Sequence, residues 1–436
     1  MKFGLFVVLN ALLLIRPEEL FPEITGLRLY LIVIALCTLI TLPELLRLLT
    51  PESLRVRPVT VCVLLYFAST IVSLCVLRRF EEAFLDFGPE FAKVILYYLL
   101  LVSIVDNATR FRTFVATLIF FVIILTAIAL AQQFGIASFP NIQPAMQRVI
   151  DPATGEESAI PRLCSSGVFS DPNDLCLILG LGILSCIFMA STGEFPLPAR
   201  LIWLLPIPLF VFAVLETHSR GGLMGVLAGI CGYLFARFGG PKSLPYAAAG
   251  VVAVFAAIGG RQGGISGGDT AHERLMLWTV GLTNLFNMPL YIPTGLGMEW
   301  YVEESGHVAH NSFIQTYVEQ GIFGGGAFLG AFVIGAFITY RLGRTIQAPA
   351  WAMEVRPFVF AVICGYAMGC YSLSRNLVLP TYMVFGIVAV VVESPSVILP
   401  EKFTVTRRWF FRCVLLSIAG LVAIKFATQL LGMAGV

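Results

Sequence analysis

The sequence predicts an all-α protein that crosses a membrane about 12 to 14 times, and two observations support this prediction. First, 58% of the 436 residues are hydrophobic and only 12% are charged, whereas a soluble domain has about 25% charged residues. Second, apolar runs close to the length of a spanning helix recur along the whole chain. One soluble core could not bury so many runs, because single cores stop growing at about 250 to 300 residues.

The apolar runs define the candidate spans, of which the first and the last have the weakest pattern. They lie at about 3–15, 27–46, 59–77, 91–105, 113–134, 174–190, 201–217, 222–238, 244–259, 311–340, 356–373, 376–393 and 409–431. Lys and Arg are in excess in alternate loops when the N-terminus is placed in the cytoplasm, which is the orientation that positively charged loops favour.

This topology divides the chain into five segments with two long stretches on the outer side. The segments are N-terminal transmembrane helices at 1–134, a first outer segment at 135–173, further transmembrane helices at 174–259, a long outer loop with helices of its own at 260–310, and C-terminal transmembrane helices at 311–436. The long outer loop opens with the glycine-rich stretch GGRQGGISGGDT. It ends where the next span begins.

Composition and motifs argue against several classes of function. A net charge of +2 gives no reason to expect nucleic acid as a partner. The cysteines lie almost entirely inside apolar runs, and no CxxC pair predicts a disulfide framework or a zinc site. No P-loop, dinucleotide fingerprint or internal repeat is visible. We therefore expect no metal and no cofactor.

The stretch from His310 to Gly324 marks the boundary between the long outer loop and the next span. Asn311 suits the N-cap position of the helix that follows. The positive end of that helix disfavours a protonated imidazole. A neutral imidazole at this boundary can accept a proton, which makes His310 a candidate general base. The alternative is a polar interface residue that ends a span.

An acidic residue and four glycines follow within the same predicted helix. Glu319 lies roughly 13 Å deeper than His310 at 1.5 Å per residue. An acid at that depth is either functional or a buried hydrogen-bond partner of a neighbouring helix, and the sequence leaves both roles open. Small-xxx-small pairs that predict close helix packing are formed by Gly321, Gly325, Gly326 and Gly330.

Three arginines on the predicted outer side are candidates for binding phosphate. Arg162 precedes the sequence SSGVFSDPND, Arg220 lies in SRGG between two spans, and Arg274 lies one helical turn before Trp278. Guanidinium groups bind phosphate oxygens in bidentate fashion and stay charged. The alternative for each is an interfacial side chain or a surface salt bridge. The DPND sequence at 171–174 predicts a helix cap rather than a metal site.

Together these motifs resemble the O-antigen ligase superfamily. That family includes O-antigen ligases, O-antigen and exopolysaccharide polymerases, and bacterial protein O-oligosaccharyltransferases. The resemblance is close over about residues 160–330 and elsewhere consists of hydropathy and the number of spans. The matching positions are Arg162 with Gly167 and the DPND cap, SRGG at 219–222, Arg274-x3-Trp278, the turn from Pro289 to Gly297, and HN-x9-G-x2-G from His310 to Gly324.

The resemblance implies a membrane glycosyltransferase fold of the C type in the bacterial inner membrane, with the long loop before residue 311 in the periplasm. It implies a glycan donor carried on undecaprenyl diphosphate and transfer to an acceptor hydroxyl at the periplasmic face, without metal or nucleotide sugar. His310 would be the base that activates the acceptor. The arginines that would hold the diphosphate are Arg220 and Arg274, with Arg162 as a third candidate. The candidate supporting residues are Asn311, Trp278 and Glu319.

The resemblance leaves the acceptor open, because ligases and polymerases share all of these motifs. The expected partners are the lipid-linked donor, an acceptor glycolipid or growing polysaccharide, and membrane lipid; lipid A core and protein are both possible acceptors. A transporter of polysaccharide or lipid is an alternative of a different class. It would need ionisable residues near mid-membrane on broken helices, and Glu319 is the residue that keeps it open. An inactive scaffold would not need His310 and the arginines together.

Overall fold

The computed structural model describes residues 1–24, 26–150, 157–193, 196–239, 245 and 267–433. This part of the chain is mostly helical, and ten of its helices are long and apolar enough to cross a membrane. The chain is a multi-pass helical membrane protein, as predicted. The predicted span at 244–259, apart from residue 245, and most of the glycine-rich stretch lie outside the described residues. The predicted total number of spans stays a prediction.

Most of the described helices follow one another with short connections. They are α1 Lys2–Ile15, α2 Pro17–Leu20, α3 Leu29–Leu48, α4 Pro51–Arg55, α5 Pro58–Val76, α6 Phe87–Ile104, α7 Ala108–Gln133, α8 Pro172–Ser191, α9 Leu197–Ile202, α10 Pro206–Glu216, α11 Arg220–Phe238, α12 Gly267–Asn287, α13 Trp300–Ser305, α14 Ser312–Arg341, α15 Ala350–Ser372, α16 Leu379–Val392 and α17 Arg407–Met433. A π-helical turn, Glu82–Asp86, precedes α6, and short 3-10 turns lie at Pro22–Ile24, Gly167–Ser170, Pro289–Tyr291 and Glu401–Phe403. Helices α1 and α16 stand at two predicted spans but have only 14 residues each.

The segment 135–173, predicted to lie on the outer side, contains a two-stranded antiparallel hairpin, which the all-α prediction missed. Strand β1, Ala145–Ile150, pairs with β2, Glu157–Arg162, so that the first residue of β1 lies opposite the last residue of β2. Two strands of six residues each give too short an alternating pattern to stand out in a polar loop. Residues 151–156, between the strands, lie outside the described part.

The chain divides into two compact units. Unit 1 consists of Met1–Leu45, Leu100–Ile265 and Pro349–Gly369, and unit 2 of Leu46–Leu99, Ser266–Ala348 and Cys370–Val436. The predicted site residues are therefore distributed over both units. Unit 1 holds Arg162 and Arg220, and unit 2 holds Arg274, Trp278, His310, Asn311 and Glu319.

Unit 1 is built around α8, whose residues are almost all buried. The helix begins at the predicted cap, where the Asp171 carboxylate accepts the N–H of Asn173 at 2.8 Å and Pro172 occupies the first helical position. The prediction of a helix cap at DPND is confirmed. Small residues let the neighbouring helices approach: a Cβ at Gly180 would lie 2.7 Å from Cγ2 of Val226 in α11.

Unit 2 is built around α14, which packs against α5, α16 and α17. Aromatic rings fill one side of the contact, where Phe332 of α14 meets Phe385 of α16 edge to face at 4.7 Å. A Cβ at Gly326 would lie 2.4 Å from the Ser417 hydroxyl of α17, and Gly330 lies close to α5 in the same way. The close packing that the glycine spacing predicted is confirmed at these two positions.

Helix α14 is broken at Gly321, where the sequence predicted a continuous helix. Gly321 has φ 67° and ψ −161°, a combination that residues with a side chain rarely adopt. The break removes four backbone partners: the carbonyls of Val318 and Glu319 and the N–H groups of Ile322 and Phe323 would pair with each other in a regular helix. The small-xxx-small spacing does not distinguish a glycine that packs against a neighbouring helix from a glycine that breaks its own helix, so the sequence could not predict the break at Gly321.

Residues 292–297, here named the insert, supply all four of the missing hydrogen bonds. Two N–H groups of the insert donate to the helix carbonyls, and two of its own carbonyls accept from the helix N–H groups. The four bonds are Leu296 N–H to the Val318 carbonyl at 2.8 Å, Gly297 N–H to the Glu319 carbonyl at 3.0 Å, Ile322 N–H to the Ile292 carbonyl at 2.9 Å and Phe323 N–H to the Pro293 carbonyl at 3.3 Å. The insert thus replaces one turn of helical hydrogen bonding.

Gly321→Ala should destabilise the folded protein by about 1 to 3 kcal/mol, because alanine resists the positive φ. The new Cβ would also lie 2.5 Å from the Pro293 carbonyl group. Thermal unfolding of the full-length protein in nanodiscs measures the loss. Gly432→Ala in α17 is the matched control, since a Cβ there meets nothing within 4 Å. Equal unfolding temperatures for the two variants would show that the break is not required.

Candidate functional site

His310 is the residue directly before the cap of α14, and it adopts a left-handed backbone conformation with φ 52°. Such a φ is uncommon for a residue with a side chain. Asn311 then caps the helix as predicted, since its side-chain oxygen accepts the N–H groups of Phe313 at 3.0 Å and Ile314 at 3.1 Å. The half-buried His310 ring therefore stands at the positive end of a helix whose first amides are already bonded.

Helix α12 fixes the residue before His310 and carries Arg274. The indole N–H of Trp278 donates to the carbonyl of Ala309 at 2.7 Å, and Ala309 itself is fully buried. Arg274 lies one turn earlier on the same face of α12. The Arg274-x3-Trp278 spacing therefore brings a guanidinium group to the neighbourhood of His310, where its charge acts on the imidazole.

A second arginine near His310, Arg375, was not among the predicted site residues. The Ser312 hydroxyl, at the start of α14, donates to the Leu373 carbonyl at 2.6 Å and accepts the N–H of Arg375 at 2.7 Å. These bonds dock the loop after α15 onto the start of α14. The sequence showed only an arginine at the outer end of an apolar run, a feature that Arg375 shares with arginines of no special role.

The pKa of His310 is lowered from its usual value of 6.5, first by burial and then by the positive charges of Arg274 and Arg375. His307 shifts the pKa in the same direction, and Glu273 opposes the shift. A pKa below 6.5 means that the imidazole is neutral at pH 7. His310 therefore has the protonation state that a general base needs.

Arg274 has the surroundings of an anion-binding residue. Its Nε atom is buried and has no hydrogen-bond partner among the residues that the structure describes. Burial also lowers the pKa of its guanidinium group, which the adjacent Glu273 partly offsets. Buried polar atoms of proteins are nearly always hydrogen-bonded. An N–H group of Arg274 without an acceptor in the described part of the chain is able to donate to an oxyanion.

In unit 1, hydrogen bonds bring Arg162 together with the two predicted motifs beside it. Arg162 donates from Nε to the Thr217 carbonyl at 2.9 Å and from Nη2 to the Asn173 side-chain oxygen at 3.0 Å. The same oxygen accepts the Ser219 hydroxyl at 2.7 Å. Ser219 caps α11, which begins at the exposed Arg220. Two N–H groups of Arg162 thus serve the fold, and its role as a phosphate ligand stays a prediction.

Glu319 belongs to the broken part of α14, roughly 13 Å along the helix from His310. Its fully buried carboxylate accepts the side-chain N–H of Gln315 at 3.1 Å and 3.2 Å and the backbone N–H of Tyr301. Its carbonyl accepts the Ser73 hydroxyl at 2.9 Å as well as the N–H from the insert. Of the two roles that the sequence left open, the structure therefore supports the buried hydrogen-bond partner.

No known protein-family model matches this chain, and no curated protein is detectably similar to it. The fold and the described residues define a multi-pass helical membrane protein in which the charges of two arginines act on a half-buried histidine at the start of a spanning helix. Membership of the O-antigen ligase superfamily stays a prediction from the sequence motifs.

Arg274→Gln should raise the pKa of His310, because the variant removes one of the positive charges that disfavour imidazolium. The measurement is the rate of diethyl pyrocarbonate modification of His310 against pH, followed by mass spectrometry of the digested protein. In the wild type the midpoint should lie below 6.5. Arg78→Gln, which changes an exposed arginine of the same unit, should leave the midpoint unchanged. A midpoint that does not move in Arg274→Gln would contradict the account of the shift.

Asn173→Ala should lower the free energy of unfolding by about 1 to 3 kcal/mol, because it leaves one half-buried and one buried donor without their shared acceptor. Those donors are the guanidinium of Arg162 and the hydroxyl of Ser219. Chemical denaturation in detergent measures the change. The control is Asn284→Ala, since this half-buried side chain donates only to a carbonyl of its own helix in the described part of the chain. A loss no larger than that of the control would show that the network does not hold unit 1 together.

Proposed function

We propose that the protein is a glycosyltransferase that moves a glycan from undecaprenyl diphosphate to an acceptor hydroxyl at the periplasmic face of the bacterial inner membrane. The observation that carries the proposal is the half-buried His310 at the start of a spanning helix, where burial and the charges of Arg274 and Arg375 lower its pKa. The motifs that resemble the O-antigen ligase superfamily supply the class of donor. His310 is the base, and Arg274 binds the diphosphate.

The chemistry of this transfer needs the two kinds of group that surround His310. The bond between the anomeric carbon and the diphosphate oxygen breaks, and negative charge develops on that oxygen. Guanidinium groups in a partly desolvated site stabilise such a charge strongly. The acceptor oxygen forms the new bond to the anomeric carbon and gives its proton to the imidazole. The activated donor drives the reaction, so no ATP is consumed.

The lowered pKa of His310 also determines how the rate depends on pH. Protonated His310 cannot accept a proton, so the transferase loses activity as the pH falls through the pKa of this group. Because burial and the two arginines hold that pKa below 6.5, activity persists at pH 7 and its acid limb lies below pH 6.5. The imidazolium that forms during transfer lies beside like charges, which favours rapid release of the proton to water.

For Arg162 and Arg220, in unit 1, binding of the diphosphate is a proposal that rests on the sequence motifs. The identity of the acceptor that receives the glycan is also left open by the proposal. A ligase would transfer the glycan to a glycolipid, and an O-antigen or exopolysaccharide polymerase of the same superfamily would transfer it to a growing polysaccharide. Both activities use the same base and the same leaving group, so the proposal for His310 is common to them.

A transporter of polysaccharide or lipid is the second candidate, and the broken helix favours it. Transporters use broken helices with ionisable residues near mid-membrane, and α14 combines a break at Gly321 with the buried Glu319. The insert and Gln315 satisfy these groups by hydrogen bonds, which argues for a fixed structural role. Movement of a lipid-linked glycan across vesicles without covalent transfer, and its loss in Glu319→Gln, would decide for the transporter.

His310→Gln should reduce the rate of transfer by about 10²- to 10⁴-fold, the range that a general base contributes. The assay supplies purified protein in nanodiscs with a glycan on undecaprenyl diphosphate and separate glycolipid and polysaccharide acceptors. Product is measured by gel mobility and mass spectrometry. The matched control is His272→Gln, which changes an exposed histidine of α12 and should keep the wild-type rate. Equal product from wild type and His310→Gln would remove His310 from the mechanism.

A further inference from the structure

We propose that Arg375 binds the substrate directly and forms, with Arg274, a two-arginine site for a diphosphate group. The ligand class is a diphosphate, carried on a prenyl lipid or free as pyrophosphate. That the diphosphate is carried on a prenyl lipid rests on the proposed function. That an anion binds here rests on the residues around His310. Neither the motifs nor the resemblance assigned a role to Arg375.

The backbone of Arg375 is held on both sides by buried groups. Its N–H donates to the Ser312 hydroxyl at 2.7 Å, and its carbonyl accepts the hydroxyl of Thr381. The next residue, Asn376, is only 3% exposed and donates its side-chain N–H to the Tyr66 hydroxyl at 2.8 Å. The guanidinium itself donates from Nη1 to the Ser374 carbonyl at 3.0 Å, so part of its freedom is already lost before a ligand binds. The loop therefore presents Arg375 as a preorganised group.

The charges that act on His310 are mostly positive. Arg274, Arg375 and His307 all disfavour the protonated imidazole, and the carboxylate of Glu273 acts on it in the opposite direction. Both guanidinium groups are half-buried, and a charged group is costly to desolvate. An esterified diphosphate carries about two negative charges, so it would balance the two guanidinium groups and bond to both.

The start of α14 cannot bind the anion through its own amides. Asn311 already bonds the N–H groups of Phe313 and Ile314, and the Ser312 N–H donates to the Leu373 carbonyl at 3.0 Å. A helix N-terminus normally binds phosphate through those amides. Here side chains must bind the anion instead. The two arginines that act on His310 can provide the hydrogen bonds.

The test is isothermal titration of the full-length protein in nanodiscs with two probes, inorganic pyrophosphate and farnesyl diphosphate. Arg375→Gln should weaken binding by about 10- to 100-fold, since hydrogen bonds to charged groups are lost. Arg375→Lys should fall between it and the wild type, because lysine keeps the charge but not the bidentate geometry. The matched control Arg78→Gln should bind like the wild type.

Weaker binding of both probes in Arg375→Gln supports a diphosphate site open to either source. Weaker binding of farnesyl diphosphate, with no pyrophosphate bound by the wild type, supports a site for the lipid-borne group. Equal affinity of the wild type and Arg375→Gln, or no binding of either probe by the wild type, overturns the inference.

A second measurement covers the case in which Arg375→Gln unfolds. In the wild type, farnesyl diphosphate should raise the pKa of His310, measured by diethyl pyrocarbonate modification against pH, because the anion offsets the arginine charges. An unchanged pKa overturns the inference. Failure of the transferase proposal is distinct: absence of glycan transfer leaves diphosphate binding by Arg375 intact. Transfer that depends on His310 but not on Arg375 removes only the Arg375 inference.

Discussion

The exchange of hydrogen bonds between α14 and the insert is the constraint on which the structure of unit 2 depends. A break in a spanning helix exposes four backbone groups to apolar surroundings, and each unsatisfied group costs about 2 kcal/mol or more. The insert bonds all four, so the turn-rich stretch after α12 is tied to α14. Because the insert, α13 and His310 follow one another along the chain, the exchange and the Trp278 bond to Ala309 fix the path that ends at His310.

Satisfied backbone groups also explain why the chemistry at His310 depends on side chains. The cap by Asn311 and the docked loop take up the first amides of α14. The dipole of α14 still places partial positive charge at this end of the helix. Together with burial and the two arginines, it disfavours the protonated form of the imidazole. In unit 1, Arg162 instead bonds backbone and side-chain oxygens. Arginine therefore has a structural role at Arg162 in unit 1, whereas Arg274 and Arg375 belong to the candidate site in unit 2.

Local signals in the sequence predicted the spans, the DPND cap, the Asn311 cap and the neutral His310, because hydropathy and capping depend on neighbours in the chain. The break at Gly321 and the role of the loop around Arg375 could not be predicted in this way. Arg375 meets Ser312 across 63 residues, and the insert meets α14 through backbone groups that carry no residue signature. The short hairpin was missed for lack of a long alternating pattern.

The central claim is that a lipid diphosphate binds at His310 through Arg274 and Arg375. The most direct measurement is a cryo-electron microscopy structure of the full-length protein in nanodiscs with a non-hydrolysable prenyl diphosphonate. The account predicts phosphonate oxygens within about 3 Å of both guanidinium groups, the His310 ring facing the acceptor side, and α14 broken at Gly321. A ligand bound away from both arginines, or bound to a continuous α14, would contradict the account.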